Sequence, residues 1–463
     1  MRLRDARRKT LGLAIVIGSV GGVVAQERQP PPGIEYTLDL STGIVTSDNL
    51  ENVADPNGRS TLSRTNLTFG ARSQTKVSDL ALTFGGRFEA GYFAQDDTTT
   101  SVFEDPFATL AYRREGANAN FSFLGTYRET DVSRSRVVED EFENEDLIED
   151  DGTRVDTDLR FSFETNPQGP WGTDVDLRYR TRNFNGVTSD ELTDTEFFSI
   201  DAGLRLLITP SATLRLTASQ SQLIEDDDVE TEQETTSYGA NLVYEISRAT
   251  RVNAGLSAVR IETEQDEAGG RSTDVDEGPS FNFGIEHDRP NGQISATFSN
   301  TLIRNGRRQT IRVARDLELK RGELSFSVGA TQTNGNGFDP LLALTYSGDL
   351  KRGSYRIRFS QNANTDTDGD SFINTRLSAN YRHEIDRVSG LELDLSLTES
   401  DAQGDDGTDR SRTNLGVTYT RDLTHDWQLR TGYEYGLTET NDGDGRRRNT
   451  LFATINRSFS LRP

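Results

Sequence analysis

The chain has no cysteine, a single methionine and three histidines, and only Lys9, Lys76, Lys320 and Lys351 among its 51 basic side chains are lysines. Without cysteine there are no disulfides, no thiolate metal sites and no thiol nucleophile. Long apolar runs are scarce as well. Hydrophobic residues make up 33% of the 463, and past residue 25 no stretch approaches the roughly 20 apolar residues that a membrane-spanning helix requires. A soluble globule of this length would need interior segments apolar on most sides. A membrane barrel needs one apolar face per strand. Concentrated positive charge is missing too: 75 acidic side chains leave a formal charge of −24, which disfavours nucleic acid as a partner.

The first residues have the layout of an export signal. Arg2, Arg4, Arg7, Arg8 and Lys9 form a basic segment, Leu11 to Val24 an apolar one, and Val23-Val24-Ala25 places small residues before a cut at Gln26. Residues 1–25 are therefore expected to be a signal peptide and 26–463 the mature protein. Removing five cations and Asp5 takes the formal charge from −24 to about −28. No cysteine follows the cut, so a lipoprotein anchor is excluded.

From Ile34 onward the dominant period is two. Leu391, Leu393, Leu395 and Leu397 alternate with Glu392, Asp394, Ser396 and Thr398; Tyr355, Ile357 and Phe359 alternate with Arg356, Arg358 and Ser360. Apolar residues at three- and four-residue spacing, the mark of a helix, are lacking. Short turns (Gln74-Thr75-Lys76, Pro210-Ser211, Lys320-Arg321-Gly322, Lys351-Arg352-Gly353) alternate with mostly longer acidic segments at 131–152, 223–236, 263–279, 364–370, 401–409 and 441–445. That alternation predicts an all-β chain: one large antiparallel transmembrane β-barrel in the bacterial outer membrane. Its short turns would be periplasmic and its long loops extracellular. Counting segments predicts about 22 strands, within a range of roughly 16 to 22. The fixed repeats of propellers and solenoids are absent. Strand one is placed within about ten residues of the predicted cut, which leaves no room for the plug of a TonB-dependent receptor and sets that class aside.

Two short motifs carry a resemblance. Thr46-Ser47-Asp48-Asn49 follows the first strand, and Arg448-Asn449 leads into a last strand closing at Phe459. Both are similar to motifs of the beta-barrel porin 2 family and its exopolysaccharide-associated relatives, with Ser47 inserted and Ser460-Leu461-Arg462-Pro463 added past the final aromatic. The resemblance implies an outer-membrane pore, in some members linked to export of surface polysaccharide.

If Val175, Leu177 and Tyr179 face lipid, then Asp174, Asp176, Arg178, Arg180 and Arg182 line the lumen. The same phase places Arg205, Arg215, Arg356, Arg358, Arg376 and Arg382 there. Arginine holds its charge and forks onto carboxylates and other anions, so these residues are either a solute filter or a set of cross-strand ion pairs filling a polar interior. Nine carboxylates lie within 139–151, read first as a solvated acidic surface and second as a weak divalent-ion site bridging to lipopolysaccharide. Asn364, Asp366, Asp368 and Gly369 open like a calcium loop, but Thr375 stands where a bidentate Glu is needed. His287, His383 and His425 fall near the periplasmic rim, away from any lipid or extracellular substrate, so neither an enzyme nor a cofactor or metal site is expected.

The sequence thus predicts a porin-like pore for passive passage of small solutes or export of a surface glycan, with outer-membrane lipid and lipopolysaccharide as surroundings. The alternative is a non-conducting structural or adhesive barrel acting through acidic extracellular loops. Orientation is testable on intact cells. External protease should cut within 131–152 well before the Lys320 or Lys351 turns; cleavage at those turns first means that the barrel is inverted.

Overall fold

The computed structural model describes residues 33–132, 138–139, 145–146, 152–189, 192–267, 270–334, 337–365, 371–402, 409–440 and 445–463. The expected signal peptide, most of the 139–151 acidic segment and residues 366–369 of the calcium-like opening lie outside them. The chain begins with β1 (Gly33–Ser47), β2 (Ser60–Gln74), β3 (Ser78–Phe93), β4 (Thr98–Glu115) and β5 (Ala119–Asp131). Two two-residue strands, β6 (Val138–Glu139) and β7 (Glu145–Asp146), pair with each other. There follow β8 (Thr153–Thr165), β9 (Trp171–Asn185), β10 (Asp194–Thr209), β11 (Ala212–Asp226), β12 (Glu232–Ser247), β13 (Thr250–Glu267) and β14 (Gly270–Arg289). The next five are β15 (Gly292–Ile303), β16 (Gly306–Leu319), β17 (Gly322–Thr333), β18 (Phe338–Leu350) and β19 (Gly353–Thr365). The last five are β20 (Ser371–Glu384), β21 (Ser389–Ala402), β22 (Arg410–Asp422), β23 (Trp427–Thr440) and β24 (Arg446–Leu461).

Apart from β6 and β7, every strand pairs antiparallel with the next, and β24 returns to β1 from Tyr36↔Leu461 to Ser47↔Thr450. The result is a closed ring of 22 strands, with no edge left to expose unpaired backbone in hydrocarbon. The count agrees with the expectation, and the apolar segments around Phe281 and Leu341 are strands of the ring. Asn305 and Gly306 turn a tight hairpin between β15 and β16: Ile303 faces Gly306, and Asn305 takes a left-handed φ of 60°, which asparagine tolerates better than most residues. At the seam, Gly43 lies so close to β24 that an added Cβ would sit 2.0 Å from the Ala453 carbonyl oxygen.

The longer acidic segments are read differently by the structure. At 263–279 most residues belong to β13 and β14, paired from Thr263↔Asp274 up to Glu267↔Gly270, so the hairpin stands tall beyond its neighbours. Likewise β11 runs to Asp226 and β12 starts at Glu232, which leaves only a tight turn of the expected 223–236 loop. Carboxylates dominate these segments without interrupting the strands, because above the lipid both faces of a strand meet water.

Strand faces follow the two-residue phase. Leu395 stands across from Ala379 and Leu415, three residues from Glu392, which faces Arg382 and Thr418 on the opposite side of the sheet. The lipid-side band is bounded by aromatic side chains. Near the short turns are Trp171, Trp427, Phe459 and the Tyr346–Tyr355 pair, whose ring centroids are 4.9 Å apart. Near the other rim are Tyr92, Phe103, Tyr127 and Tyr238. Arg457 lies over both Trp427 (5.1 Å) and Phe459 (4.3 Å), an amphipathic stack suited to the headgroup level. An arginine at Leu395, in the middle of β21, should destabilise the barrel by about 2–4 kcal/mol. Spin labels should find position 393 in lipid and 392 in water; the reverse accessibility would invert the register.

Candidate functional site: the charged lumen wall and mouth

Side chains opposite the apolar band form the inner wall, and all eleven expected lumen residues lie on that face. They do not form one cluster. On β8 to β11 they are interlocked: Asp158 receives Arg160 at 2.7 Å and Arg178 at 2.8 Å, and Asp156 receives Arg154 at 2.8 Å and Arg182 at 3.1 Å. Asp174 pairs with Arg215, while Asp176 faces Asp201 and Ser162. Arg178 also approaches the ring of Phe197, which the register sets across from Arg180. Arg205 is a turn holder: its guanidinium donates to the carbonyls of Asn166, Pro167 and Gly169 and so fixes the short turn between β8 and β9.

The wall across β18 to β21 differs. Arg382 pairs with Glu392 at 2.9 Å, and Arg376 lies between Ser360 and Thr398. Arg356 faces Ser347 and Asn380, and Arg358 faces Thr345 and Ser378. Neither Arg356 nor Arg358 has an ion pair or hydrogen bond among the described residues, and both are exposed to the lumen. Two residues apart on one face of a strand, their side chains start about 7 Å from each other. They stand as two fixed cations without a counter-charge.

A cluster near the mouth was not foreseen. Glu89 on β3 is fully buried between Arg64, which donates to it from β2, and Arg87 (3.1 Å) on its own strand. Arg87 also reaches Glu104 at 2.8 Å and Asp105 at 2.7 Å. A β-bulge in β4 makes this possible. The pairing slips between Gly85 and Arg87, Asp105 adopts a φ of 49°, and two consecutive carboxylates reach the same guanidinium. Beside it, Leu50 from the first loop packs on Leu62 and Phe93, with Val102 alongside, which seats that loop on the inner wall. The alternation of Arg87 and Glu89 with Phe88 and Ala90 was readable in the sequence; nothing in composition or spacing announces the bulge.

The two sequence motifs meet at the seam. Asp48 accepts from the backbone N–H and the side-chain amide of Asn449, both at 2.7 Å, and Asn49 donates to the carbonyls of Arg447 (2.9 Å) and Val53 (2.7 Å). Thr450 donates to Ser47 at 3.2 Å. This clasp ties the end of β1 to the start of β24. The three histidines are apart, as expected: His287 is bonded to Thr250, His383 to Tyr381, and His425 sits in a turn where Asp426 holds its imidazole above the usual pKa.

The architecture defines the class: a 22-strand barrel of the Gram-negative outer membrane. By sequence, no protein family and no curated protein matches the chain. By structure it is similar to the ferric enterobactin receptor PfeA of Pseudomonas aeruginosa, with a TM-score of 0.57 at 8% identity over 93% of this chain and 82% of that one. The ferric-catecholate import receptor Fiu of E. coli K12 gives a TM-score of 0.57 at 9% identity, again covering 93% and 82%. The copper transporter OprC gives 0.55 at 11% identity, covering 92% and 80%. Such identities establish the shared fold. They also correct the functional expectation. The structures it is similar to are named as receptors and a copper transporter, and this overturns the expectation of a passive pore or polysaccharide conduit, with its adhesive alternative.

The Glu89 cluster yields a stability prediction. Glu89→Ala removes the carboxylate shared by two partly buried guanidiniums, of which Arg87 keeps Glu104 and Asp105, and should cost about 1–3 kcal/mol, read as an earlier guanidinium unfolding midpoint in detergent. A loss below about 1 kcal/mol, the scale of an exposed pair, would show that water replaces the carboxylate.

Proposed function

We propose that the chain is a ligand-uptake barrel whose cargo is a small anion, held in transit against the β19–β20 wall. The carrying observation is the pair Arg356 and Arg358, cationic and uncompensated in a protein of formal charge −24. Elsewhere on the wall carboxylates occupy many of the guanidiniums; here the forked donors are free to take acceptor oxygens from a solute. The similarity to receptors for ferric enterobactin and ferric catecholates supports an oxygen-rich anionic cargo. A bare copper ion fits this chain less well. Copper favours thioether, thiolate and imidazole donors, and the chain has one methionine, no cysteine and three histidines that lie far apart.

Ferric enterobactin is a suitable probe. Each charge-assisted hydrogen bond contributes about 1.5–3 kcal/mol, so the double variant Arg356→Gln, Arg358→Gln should bind the radioiron-labelled complex at least about tenfold more weakly in equilibrium dialysis. Its heat-modifiable electrophoretic mobility should be that of the parent, since neither arginine holds another residue. Unchanged binding of the complex, or binding of copper ions with no affinity for it, would sink this reading.

A further inference from the structure

The rim of short turns carries a pattern that the lumen does not explain. Leu319-Lys320-Arg321-Gly322 and Leu350-Lys351-Arg352-Gly353 are the same tetrapeptide, used at two neighbouring turns. In each the leucine faces the glycine across a two-residue loop, so the lysine and arginine form the tip. Leu319 and Leu350 lie on the lipid side, 44% and 47% exposed. Two further turns of this rim set an aliphatic before a cation, Ile246 before Arg248 and Ile385 before Arg387, while the β14–β15 turn between them has Asp288 before Arg289. The strand carboxylates next to the tips, Glu318, Glu323, Asp349 and Glu384, fall on the opposite, lumen-facing side of the sheet, and Asp386, in the tip beside Arg387, is turned back to accept from the Val388 N–H. None of Arg248, Lys320, Arg321, Lys351, Arg352 and Arg387 has an ion pair among the described residues, and all are exposed.

Backbone hydrogen bonds set these turns side by side. Asp349 N donates to Arg321 O and Glu384 N to Arg352 O, each at 2.9 Å, and Asp422 N donates to Val388 O at 2.7 Å. Successive tips are two strands apart, about 10 Å along the rim. Along β1 to β11 the short turns hold Lys76 alone: Gly116-Ala117-Asn118, residues 166–170 and Pro210-Ser211 contain no cation. The chain's lysines past residue 25 are therefore all at this rim, and the turn tips with two adjacent cations are on one arc of it; Arg113 and Arg114, on the other arc, belong to β4 and not to a tip.

Aliphatic outward, cations at the tip and carboxylates turned inward form an arrangement matched to a lipid surface. The leucines reach the acyl boundary while ammonium and guanidinium groups meet phosphates beneath it. We infer that the arc from β12 to β21 is a docking surface for anionic phospholipid headgroups of the periplasmic leaflet. Anionic lipid is thereby gathered under one side of the barrel and excluded from none of the other.

The test uses the full chain reconstituted in vesicles of phosphatidylcholine with trace spin-labelled phosphatidylglycerol or spin-labelled phosphatidylcholine. Motionally restricted lipid is measured by electron paramagnetic resonance. The parent should restrict the anionic probe at least about threefold more strongly, with the preference lost at high salt as Debye screening shortens. The quadruple variant Lys320→Gln, Arg321→Gln, Lys351→Gln, Arg352→Gln should lose most of that preference while keeping heat-modifiable mobility. Equal association of both lipids with the parent overturns the inference, and is also the result expected if an acidic periplasmic protein occupies the arc. A preference that survives in the quadruple variant overturns it as well, by placing the anionic site elsewhere.

Discussion

Backbone amides cannot be left unpaired in hydrocarbon, where each costs several kcal/mol. The described strands meet that demand with one unbroken circuit, from β1 through β24 and back. Once the circuit is closed, each strand owes the membrane only one apolar face. This is why a chain with 33% hydrophobic residues can live in a bilayer, and why it does so without a single disulfide. The same constraint frees the inner face for charge and lets β13 and β14 climb beyond the lipid on a run of carboxylates.

Charge is then distributed by position. Outward arginines appear where the membrane ends, as Arg457 does over Trp427 and Phe459. Inward ones either lock onto carboxylates, as on β8 and β9, or remain open, as on β19. A locked pair stiffens and fills the wall; an open pair can bind. The Asp105 bulge shows how small a backbone change moves a residue between those states, since without the extra residue only one carboxylate would face Arg87.

Much of the fold was legible because a barrel strand has a strict two-residue code, and a one-residue error exchanges every lipid-facing side chain for a lumen-facing one. Leu391 to Leu397 fixed such a phase locally, and turns such as Lys320-Arg321-Gly322 marked the strand ends. Strand length was less legible. Glu264, Asp266 and Asp274 look like loop in sequence, because the apolar half of the code stops where lipid stops while the hydrogen bonding continues. The mouth cluster was hidden for another reason: Glu89, Glu104 and Arg64 lie on three strands and are joined only by register and bulge. Function was misread for a third. Lipid-facing alternation is common to barrels that leak solutes and barrels that select them, so it carries no information about which of these a given lumen does.

The Asp48–Asn449 clasp joins residues 401 apart in sequence, whereas each of the other pairings within the ring unites strands adjacent along the chain apart from the two-residue β6 and β7. Those neighbours can zip as hairpins, one after another, with little chain entropy lost at each step. Bringing the two ends together is a different event, with a loop-closure cost on the order of 5 kcal/mol for several hundred residues. The seam is thus the one pairing that cannot nucleate locally. It should form last and, on heating, part first, so the side chains of Asp48, Asn49 and Asn449 set how long a finished barrel stays shut.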